Sequence, residues 1–567
     1  MNKKIQILRN KFKKYNIDGY VIPKNDDYFT EYSKINRLKI ISNFSGSAGL
    51  AIILKNKNYL FTDGRYTIQS QIESGRNFKI INYEKIINCD LFKNLTLGID
   101  PKLFTYDQIK KFFIKKNKIR FIDNNLIDEI KNEKISDNFP FFSLSKNIVG
   151  ESCNSKINKI SKYLKKNKSD YLFVSAPENV AWILNIRGKD SPNSPVPNSR
   201  LIISKTKKIF LISKIQKAKK LIKKKIIRLN ELIDINDLPD KILQLKGNNF
   251  IVDDKSCSIY FENIIKSKFK IKKKEDPIYL LKAIKNKTEI KNMIDAHILD
   301  GAALTKFIYW IQNINKKQIS EVQAQNKLEK FRKMNKSYLY PSFDTIAGSG
   351  KNGAIVHYRA KKENCKIINK KDIFLCDSGG QYKYGTTDVT RTICFSEPKK
   401  NIKDIFTKVL KGHIAVANTN LKKDNIGKKI DTRARKFLKK SNLDYSHGTG
   451  HGVGFFLNVH EGPQSISKFN KVKIREGMIL SNEPGYYKKD SFGIRIENLV
   501  FVKKNNKNVF FENLTLVPIE KELINNKQLT SLEKNYLFKY HINVYSKISK
   551  FLNLKERKWL ASFIQHS

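Results

Sequence analysis

One stretch of the chain, from Cys376 to Leu499, holds five side chains of the kinds that bind metal ions, each beside glycine or at the end of a β-like run. Four are carboxylates and one is an imidazole. Such a hard, oxygen-rich donor set suits two divalent cations that share bridging carboxylates better than a single tetrahedral zinc ion. The stretch therefore predicts a two-metal hydrolase, and the candidate ligands are Asp377, Asp388, His451, Glu483 and Glu497.

The first two candidate ligands flank a glycine-rich connection. The apolar run Ile373–Cys376 stops at Asp377, glycines follow, and Asp388 precedes the next β-like run. Two short strands joined by such a turn can bring both carboxylates to one point. We therefore expect Asp377 and Asp388 to share a site.

The remaining ligands lie in three further patterns. Residues 446–454 contain too many glycines for a stable helix, and glycine lets the backbone approach a ligand closely. Met478–Asn482 has the pattern of a buried strand and ends at the fourth candidate ligand. Residues 492–500 alternate, which predicts one strand with Arg495 and Glu497 on the same face. From there the guanidinium is expected to orient a metal-bound carboxylate.

These residues, together with their flanks, resemble the metallopeptidase family that contains methionine aminopeptidase, prolidase and aminopeptidase P, whose catalytic domain has the pita-bread fold. Two accessory histidines, His357 in Asn352–Tyr358 and His460 in Asn458–Pro463, occur in the same order. The resemblance is closest to the aminopeptidase P branch in its three-domain form. It implies release of the N-terminal residue from peptides that have proline in the second position.

The resemblance also implies how the ligands are shared. Asp377 would be a terminal ligand of one cation, Asp388 and Glu497 would bridge the two, and His451 with Glu483 would bind the other. Two divalent cations would activate the water that attacks the Xaa-Pro carbonyl. The family and the hard ligand set both favour Mn²⁺.

Catalytic roles are expected for five side chains. Glu483 would transfer protons from the water to the leaving proline nitrogen. His357 would hydrogen-bond the developing oxyanion, and His460 would help to position the proline. His447 is expected to line the pocket, although its position in the chain would equally suit a ligand. Arg495 completes the set as the group that orients a ligand carboxylate.

Length and periodicity predict a multidomain protein of α/β and α+β type, because 567 residues are too many for one core. Residues 1–147 have the pattern of an α/β domain, and residues 148–276 repeat it. The resemblance implies that both ranges are creatinase-like domains. It also implies that a pita-bread catalytic domain follows at 277–567, with a C-terminal extension from about residue 510. His297 and His413 fall on apolar helical stripes and are interpreted as core histidines.

The formal net charge of +57 raises the question of nucleic-acid or membrane partners. The lysines are spread through all segments beside many Asn and Ile residues, as A+T-rich codons would produce, and no basic stripe or motif predicts specific nucleic-acid binding. No apolar run reaches the ~18 residues of a membrane span. Six cysteines without a CxxC pair predict reduced thiols in the cytoplasm. The resemblance suggests a homodimer that acts on peptides.

Three alternatives stay open at this stage. A prolidase would act only on dipeptides, and the tandem N-terminal domains favour the aminopeptidase. A metal-free relative would use the same cleft to bind protein or RNA, which a complete ligand set disfavours. A creatinase-like amidinohydrolase shares the fold but would not need these metal ligands.

Overall fold

The computed structural model describes residues 3–130, 139–314 and 318–565. The chain forms two compact units, Met1–Ile278 and Tyr279–Ser567. The finer boundaries at residues 147 and 276 stay predictions. All six cysteines are free, as predicted. Within the described ranges, no helix is both long and apolar enough to cross a membrane.

The first unit begins with a six-stranded sheet whose central strand has one antiparallel and one parallel neighbour. The strand Leu50–Leu54 is buried at all five positions. Such continuous burial is typical of strands that are covered on both faces. The strands are β1 (Gly19–Pro23), β2 (Leu50–Leu54), β3 (Asn58–Thr62), β4 (Lys79–Asn82), β5 (Thr96–Ile99) and β6 (Lys118–Phe121), in the spatial order β4-β3-β2-β1-β5-β6.

The rest of the first unit repeats this plan. Its strands are β7 (Phe142–Ser143), β8 (Tyr171–Val174), β9 (Ile186–Arg187), β10 (Arg200–Ser204), β11 (Ile209–Ile212), β12 (Leu232–Ile233), β13 (Asn249–Val252) and β14 (Lys270–Lys273). Six of them form a sheet in the order β12-β11-β10-β8-β13-β14. Each neighbouring pair runs in the same relative direction as the matching pair in the first sheet. The predicted repeat is therefore confirmed in strand order and direction, and β10 and β11 form a hairpin.

The second unit contains smaller antiparallel sheets. Its strands are β15 (Tyr338–Pro341), β16 (Ile346–Ser349), β17 (Phe374–Ser378), β18 (Gly380–Tyr382), β19 (Gly385–Thr386), β20 (Val389–Ile393), β21 (Gly450–Gly452), β22 (Glu461–Ile466), β23 (Ile479–Asn482), β24 (Gly485–Lys488), β25 (Phe492–Arg495), β26 (Asn498–Asn505) and β27 (Asn508–Asn513). They are arranged as β15-β18-β19, β16-β17-β20, β22-β21-β23-β26-β27 and β24-β25. The candidate ligands lie on or beside β17, β20, β21, β23 and β25.

Helices cover these sheets. They are α1 (Lys3–Asn10), α2 (Phe12–Tyr15), α3 (Arg37–Ser42), α4 (Thr67–Ser74), α5 (Tyr106–Ile109), α6 (Lys146–Val149), α7 (Cys153–Lys166), α8 (Pro177–Ile183), α9 (Ile215–Lys223), α10 (Leu238–Gln244), α11 (Ile259–Lys266), α12 (Ile278–Ala283), α13 (Lys287–Gln312), α14 (Glu321–Lys333), α15 (Lys400–Ala417), α16 (Gly427–Lys439), α17 (Ser531–Ile548) and α18 (Leu554–Gln565). In the second unit, apolar residues of α15 and α17 share one core with β25, including Leu410, Val544 and Ile494. Ile496, the neighbour of the candidate ligand Glu497, also belongs to this core.

One sequence prediction about the first ligand pair is wrong in detail. β17 does not stop at Asp377 but continues to Ser378, so Asp377 lies inside a strand, opposite Thr390 of β20. The connection is not a tight turn, because β18 lies within it and pairs with both β15 and β19 in a separate sheet. Asp388 precedes β20, which begins at Val389. The two strands are nevertheless antiparallel neighbours, as expected.

The prediction of one continuous strand over residues 492–500 is also wrong. β25 pairs with β24, whereas β26 pairs with β23. The chain changes partners at Ile496 and Glu497, because their N–H groups donate to the carbonyls of Pro484 and Thr390 instead of to a strand ladder. Alternation alone could not reveal this break, since both halves keep the two-residue period.

Candidate metal centre

β17 contains Asp377, and Asp388 directly precedes the neighbouring strand β20. β17 is buried at every position and pairs with β16 on one side and β20 on the other. A central strand of this kind holds its side chains at fixed directions, because both edges are hydrogen-bonded. Asp377 and Asp388 are both buried, with 8% and 4% of their surface exposed.

Glycine allows His451 to lie close to the neighbouring strand. β21 pairs with β23, and the His451 N–H donates to Ser481 Oγ at 2.9 Å. A Cβ atom on Gly450 would lie 2.0 Å from the Ser481 carbonyl oxygen, so no other residue fits there without a backbone shift. The Glu483 N–H, just after β23, donates to the Thr449 carbonyl at 2.8 Å. The predicted absence of a helix over 446–454 is confirmed.

Three of the five candidate ligands converge closely. One ligand atom from each of Asp388, His451 and Glu497 lies within 4.8 Å of the other two. Glu483 joins them, because its Oε1 lies 3.5 Å from His451 Nε2. Asp377 lies outside this group of three and is connected to the site through Arg495, whose Nη2 donates to Asp377 Oδ2 at 2.6 Å.

Crowding of buried carboxylates disturbs their titration. Burial, opposed by Arg495 and reinforced by Asp388, raises the pKa of Asp377 to about 6. Burial and then the charges of Asp388, Glu483 and Asp377 raise the pKa of Glu497 well above its ordinary value. These shifts indicate that the protein's own cations do not fully compensate the negative charge.

The pKa of the His451 imidazole also rises, but its carboxylate neighbours cause the increase and burial opposes it. Burial alone would lower the pKa of His451, but Asp388 and Glu483 raise it to about 9. Burial also opposes ionisation of Glu483, yet the charges of His451, His447 and Arg495 lower the pKa of that carboxyl group. Glu483 is thus a carboxylate of the cluster whose cationic neighbours outweigh the effect of its burial.

The residues fit divalent cations. Asp377 Oδ1 is buried and has no hydrogen-bond partner among the described residues, so it is a bare acceptor inside the protein. Carboxylate oxygens with one imidazole are donors that Mn²⁺ and similar cations accept. A bound cation would relieve both the unpaired oxygen and the mutual repulsion of the carboxylates.

Two side chains around the ligands were not identified from the sequence. Thr390 Oγ1 donates to Glu497 Oε2 at 2.7 Å and accepts from Arg495 Nε at 3.1 Å. Tyr487 Oη accepts from Arg495 Nη1 at 2.6 Å. The position of Thr390, two residues after Asp388 in a β-like run, was a signal for the same strand face. Nothing in the local pattern marks Tyr487.

His447 lies in the same network. Its Nε2 is 2.8 Å from Tyr487 Oη, and its Nδ1 is 2.7 Å from the Gly448 carbonyl oxygen. Burial, opposed by Glu483 and reinforced by Arg495, lowers the pKa of His447 to about 4. The side chain therefore stays neutral near pH 7 and lies against the ligand-orienting residues.

The other two accessory histidines are half-buried. The His460 ring lies edge-on to His451, with centroids 4.3 Å apart. His357 follows the short turn Gly350–Ala354, which packs so closely on β25 that a Cβ atom on Gly493 would meet the Gly353 carbonyl oxygen at 1.8 Å. By contrast, His297 and His413 are buried within α13 and α15, as predicted for core residues.

Comparisons with known proteins agree with this architecture. Residues 291–504 match the family model of metallopeptidase family M24, and residues 508–566 match the C-terminal region of peptidase M24. Residues 4–128 and 132–289 each match a creatinase/prolidase N-terminal domain. The predicted fold class, two creatinase-like α/β domains before a pita-bread catalytic domain, is confirmed.

Full-length relatives are also similar. The chain is 36% identical to a probable Xaa-Pro aminopeptidase P of Laccaria bicolor over 98% of this chain and 91% of the relative. It is 36% identical to Xaa-Pro aminopeptidase 1 of Dictyostelium discoideum over 100% of this chain and 96% of that relative.

Solved structures give the same result. An X-prolyl aminopeptidase from Caenorhabditis elegans, described as a cytosolic enzyme with a di-nuclear active site, has a TM-score of 0.92 at 28% identity and covers 100% of this chain and 99% of its own. A prolidase from Pyrococcus horikoshii has a TM-score of 0.52 at 26% identity and covers 65% of this chain and 99% of its own. The chain belongs to metallopeptidase family M24.

Proposed function

We propose that this protein is a two-metal Xaa-Pro aminopeptidase, which releases the N-terminal residue of peptides with proline in the second position. The convergence of Asp388, His451 and Glu497 within 4.8 Å supports this function most directly, because it provides a cation site in the family's catalytic domain. Relatives named Xaa-Pro aminopeptidase match almost the whole chain. The prolidase alternative is weaker, since the matched Pyrococcus prolidases cover only 63–65% of this chain.

The proposed ligands of the two cations are those expected from the family. Asp377, Asp388 and Glu497 would hold one cation, and Asp388, Glu497, His451 and Glu483 would hold the other. The oxygen-rich set favours Mn²⁺. When bound, the cations would polarise the scissile carbonyl and lower the pKa of a shared water.

Glu483 is the proposed proton-transfer group. Its Oε1 accepts a hydrogen bond from Ser481 Oγ at 3.2 Å. Its Oε2, 4.0 Å from His447 Nδ1, is therefore the oxygen that takes the proton from the attacking water. The same oxygen then delivers the proton to the proline nitrogen as the amide breaks.

Histidines and Arg495 arrange the reacting groups. Arg495 holds Asp377 from one side, and Tyr487 connects it to His447. His357 hydrogen-bonds the oxyanion that develops on the scissile carbonyl. His460, packed edge-on against His451, contacts the proline residue.

Proline explains why a dedicated enzyme is needed. The Xaa-Pro bond is a tertiary amide without an N–H group, and the ring fixes φ. Peptidases that bind an extended backbone through hydrogen bonds lose a contact at this position. A pocket that recognises the shape of the ring compensates for that loss.

We also propose the domain limits, the oligomeric state, the location and the partners of the protein. The domain limits are 1–147, 148–276 and 277–567, with a C-terminal extension from about residue 510, and the matched family ranges support this division. The protein acts as a homodimer in the cytoplasm. Peptides are its partners, without specific nucleic-acid or membrane binding, despite the net charge of +57.

The test uses protein that has been stripped of metal by a chelator. With an Arg-Pro-Pro peptide, free arginine should appear only after Mn²⁺ is added, and Co²⁺ and Zn²⁺ are compared in parallel. An Ala-Pro dipeptide serves as the second substrate. Cleavage of the dipeptide without cleavage of the tripeptide would instead identify a prolidase, and no cleavage of either with any cation would refute the proposed activity.

A further inference from the structure

The C-terminal region after β27 is hydrogen-bonded to the strand that follows Glu497. Its first stretch, Leu514–Glu520, is buried along its whole length. The Leu514 N–H donates to the Leu499 carbonyl at 2.8 Å, and the Leu499 N–H donates to Thr515 Oγ1 at 2.8 Å. This region is thus attached to the strand that follows Glu497, and α17 and α18 come after it.

Arg391 is the side chain that connects the two regions. It belongs to β20 and is 1% exposed. Its Nε donates to the Pro518 carbonyl at 2.9 Å, and its Nη2 donates to the Val517 carbonyl at 2.8 Å and to Tyr540 Oη at 2.9 Å. Each of these acceptors belongs to the C-terminal region.

The same guanidinium also donates hydrogen bonds to the segment that contains Glu497 and to β20. Arg391 Nη1 donates to the Thr390 carbonyl at 2.8 Å and to the Glu497 carbonyl at 2.6 Å. Its Nη2 also donates to Asn498 Oδ1 at 2.8 Å. The backbone of Glu497 is therefore fixed to β20, the strand that follows Asp388, by a side chain whose remaining donors are satisfied from the C-terminal region.

Tyr540 of α17 completes the network. Its hydroxyl donates to the Val517 carbonyl at 2.8 Å while it accepts from Arg391. The side chain is 3% exposed, so water cannot replace it. Without this hydroxyl, Nη2 would keep only the Val517 carbonyl and Asn498 Oδ1 as acceptors, and the hydrogen bond from Tyr540 to the Val517 carbonyl would be lost as well. Each such hydrogen bond contributes about 0.5–1.5 kcal/mol, so its loss loosens the connection between α17 and the guanidinium.

We infer that Tyr540 and Arg391 are positioning residues of the metal centre, and that the C-terminal region sets the cation affinity by fixing Glu497 against β20. This inference deepens the proposed function and depends on it. Partners that orient a ligand without touching the metal typically change metal affinity about 10- to 100-fold. The network has the required form, because Arg391 contacts the backbone carbonyl of Glu497, a proposed ligand of both cations.

The experiment measures Mn²⁺ binding to the full-length, metal-stripped protein by isothermal titration calorimetry. Tyr540→Phe removes a single oxygen and should weaken Mn²⁺ binding about tenfold, and Arg391→Lys should weaken it by up to about 100-fold. At saturating Mn²⁺, Tyr540→Phe should recover kcat, and KM for the tripeptide should stay at the wild-type value. A role in folding alone would lower the melting temperature without this change in affinity.

Tyr536→Phe is the matched control. Tyr536 lies one turn earlier on α17, its ring stacks on Tyr540 at 6.4 Å, and its hydroxyl accepts from Asn513 rather than from Arg391. Its Mn²⁺ affinity should equal that of the wild type. If Tyr540→Phe binds Mn²⁺ like the wild type, or if both phenylalanine variants lose affinity equally, the inference is overturned. A wild-type protein that binds no Mn²⁺ overturns the proposed function and this inference together.

Discussion

Two buried clusters of charged side chains in the second unit differ in how their charges are compensated. In one, Glu461 accepts hydrogen bonds from Lys282 Nζ and Lys285 Nζ, and the three side chains are between 0% and 2% exposed. In the other, Asp377, Asp388, Glu483 and Glu497 surround one imidazole and one guanidinium. The first cluster brings its own counter-ions, whereas the second has an excess of negative charge.

The pKa shifts of the two clusters show which of them contains its own counter-charges and which does not. Burial lowers the pKa of Lys285, and Glu461 opposes that change, so the pair is held together by mutual neutralisation. At the candidate metal centre no lysine approaches the group among the described ion pairs, and the pKa of Glu497 rises instead. Excess buried charge is stable only when an ion or a proton compensates it. At the candidate metal centre, that compensation would come from metal.

Removal of Asp388, a proposed ligand of both cations, should have the largest effect. Asp388→Ala should abolish Mn²⁺ uptake and reduce turnover of the tripeptide by more than about 100-fold. Mutation of a residue that only orients a ligand already lowers metal affinity or activity about 10- to 100-fold, so loss of a ligand should cost more. Calorimetry and peptide cleavage measure the two effects. Glu476→Ala removes an exposed carboxylate of the same unit and serves as the control. A fully active Asp388→Ala enzyme would refute the assignment of this ligand.

Neutralisation of Glu461 tests the other cluster. Glu461→Gln keeps the shape but leaves two buried lysines without their counter-charge, which should lower the free energy of unfolding by about 3–5 kcal/mol. Urea unfolding measures the change. The control, Glu512→Gln, removes the partner of an exposed ion pair with Lys503 and should cost less than about 1 kcal/mol. Equal costs for both variants would contradict the comparison.

Mn²⁺ should raise the free energy of unfolding through the cluster with excess negative charge and not through the Glu461 cluster. At a concentration 100 times its Kd, Mn²⁺ should raise the free energy of unfolding of the wild type by about 2.7 kcal/mol. The melting temperature of the metal-stripped protein, measured with and without Mn²⁺, reports this gain. Glu497→Ala should lose the response, whereas Glu461→Gln should retain it from its lower starting point. A wild type that melts identically with and without Mn²⁺ would speak against a metal centre.

His541 is a third buried ionisable group, and the charge of Arg391 has the same sign as the protonated form of its imidazole. Burial, reinforced by Arg391, lowers the pKa of His541 to about 3, and its Nε2 accepts from the Ile519 N–H at 3.2 Å. Between pH 3 and the ordinary pKa of about 6.5, the unfolded chain binds the extra proton. Stability due to His541 is therefore complete above pH 6.5 and decreases as the pH falls, by up to about 1.4 kcal/mol per pH unit.

The measurement compares urea unfolding of the wild type and His541→Gln from pH 4.5 to pH 7.5. Glutamine keeps a hydrogen-bond acceptor for the Ile519 N–H but does not titrate. The pH dependence of the variant should be shallower than that of the wild type by the slope due to one proton. Parallel pH profiles would show that His541 is protonated in the native state.

Local patterns predicted the elements around the ligands better than their connections. The buried-strand pattern before Glu483 corresponds to β23, and the glycine-rich segment around His451 is not helical. The break at Glu497 was missed, because the two-residue period does not reveal which strand is the partner. Thr390 could be expected from its spacing to Asp388, but Tyr487 could not, since its contact with Arg495 arises from the pairing of β24 with β25.

The sequence by itself determined the donor chemistry, the repeated N-terminal plan and the family, because these depend on residue types, their order and their periodicity. Only the tertiary structure decided which groups compensate one another. Arg391 and Tyr540 are 149 positions apart, and no local pattern connects them. A buried guanidinium must find acceptors wherever the packed chain supplies them, and that choice is made when the C-terminal region closes over β20.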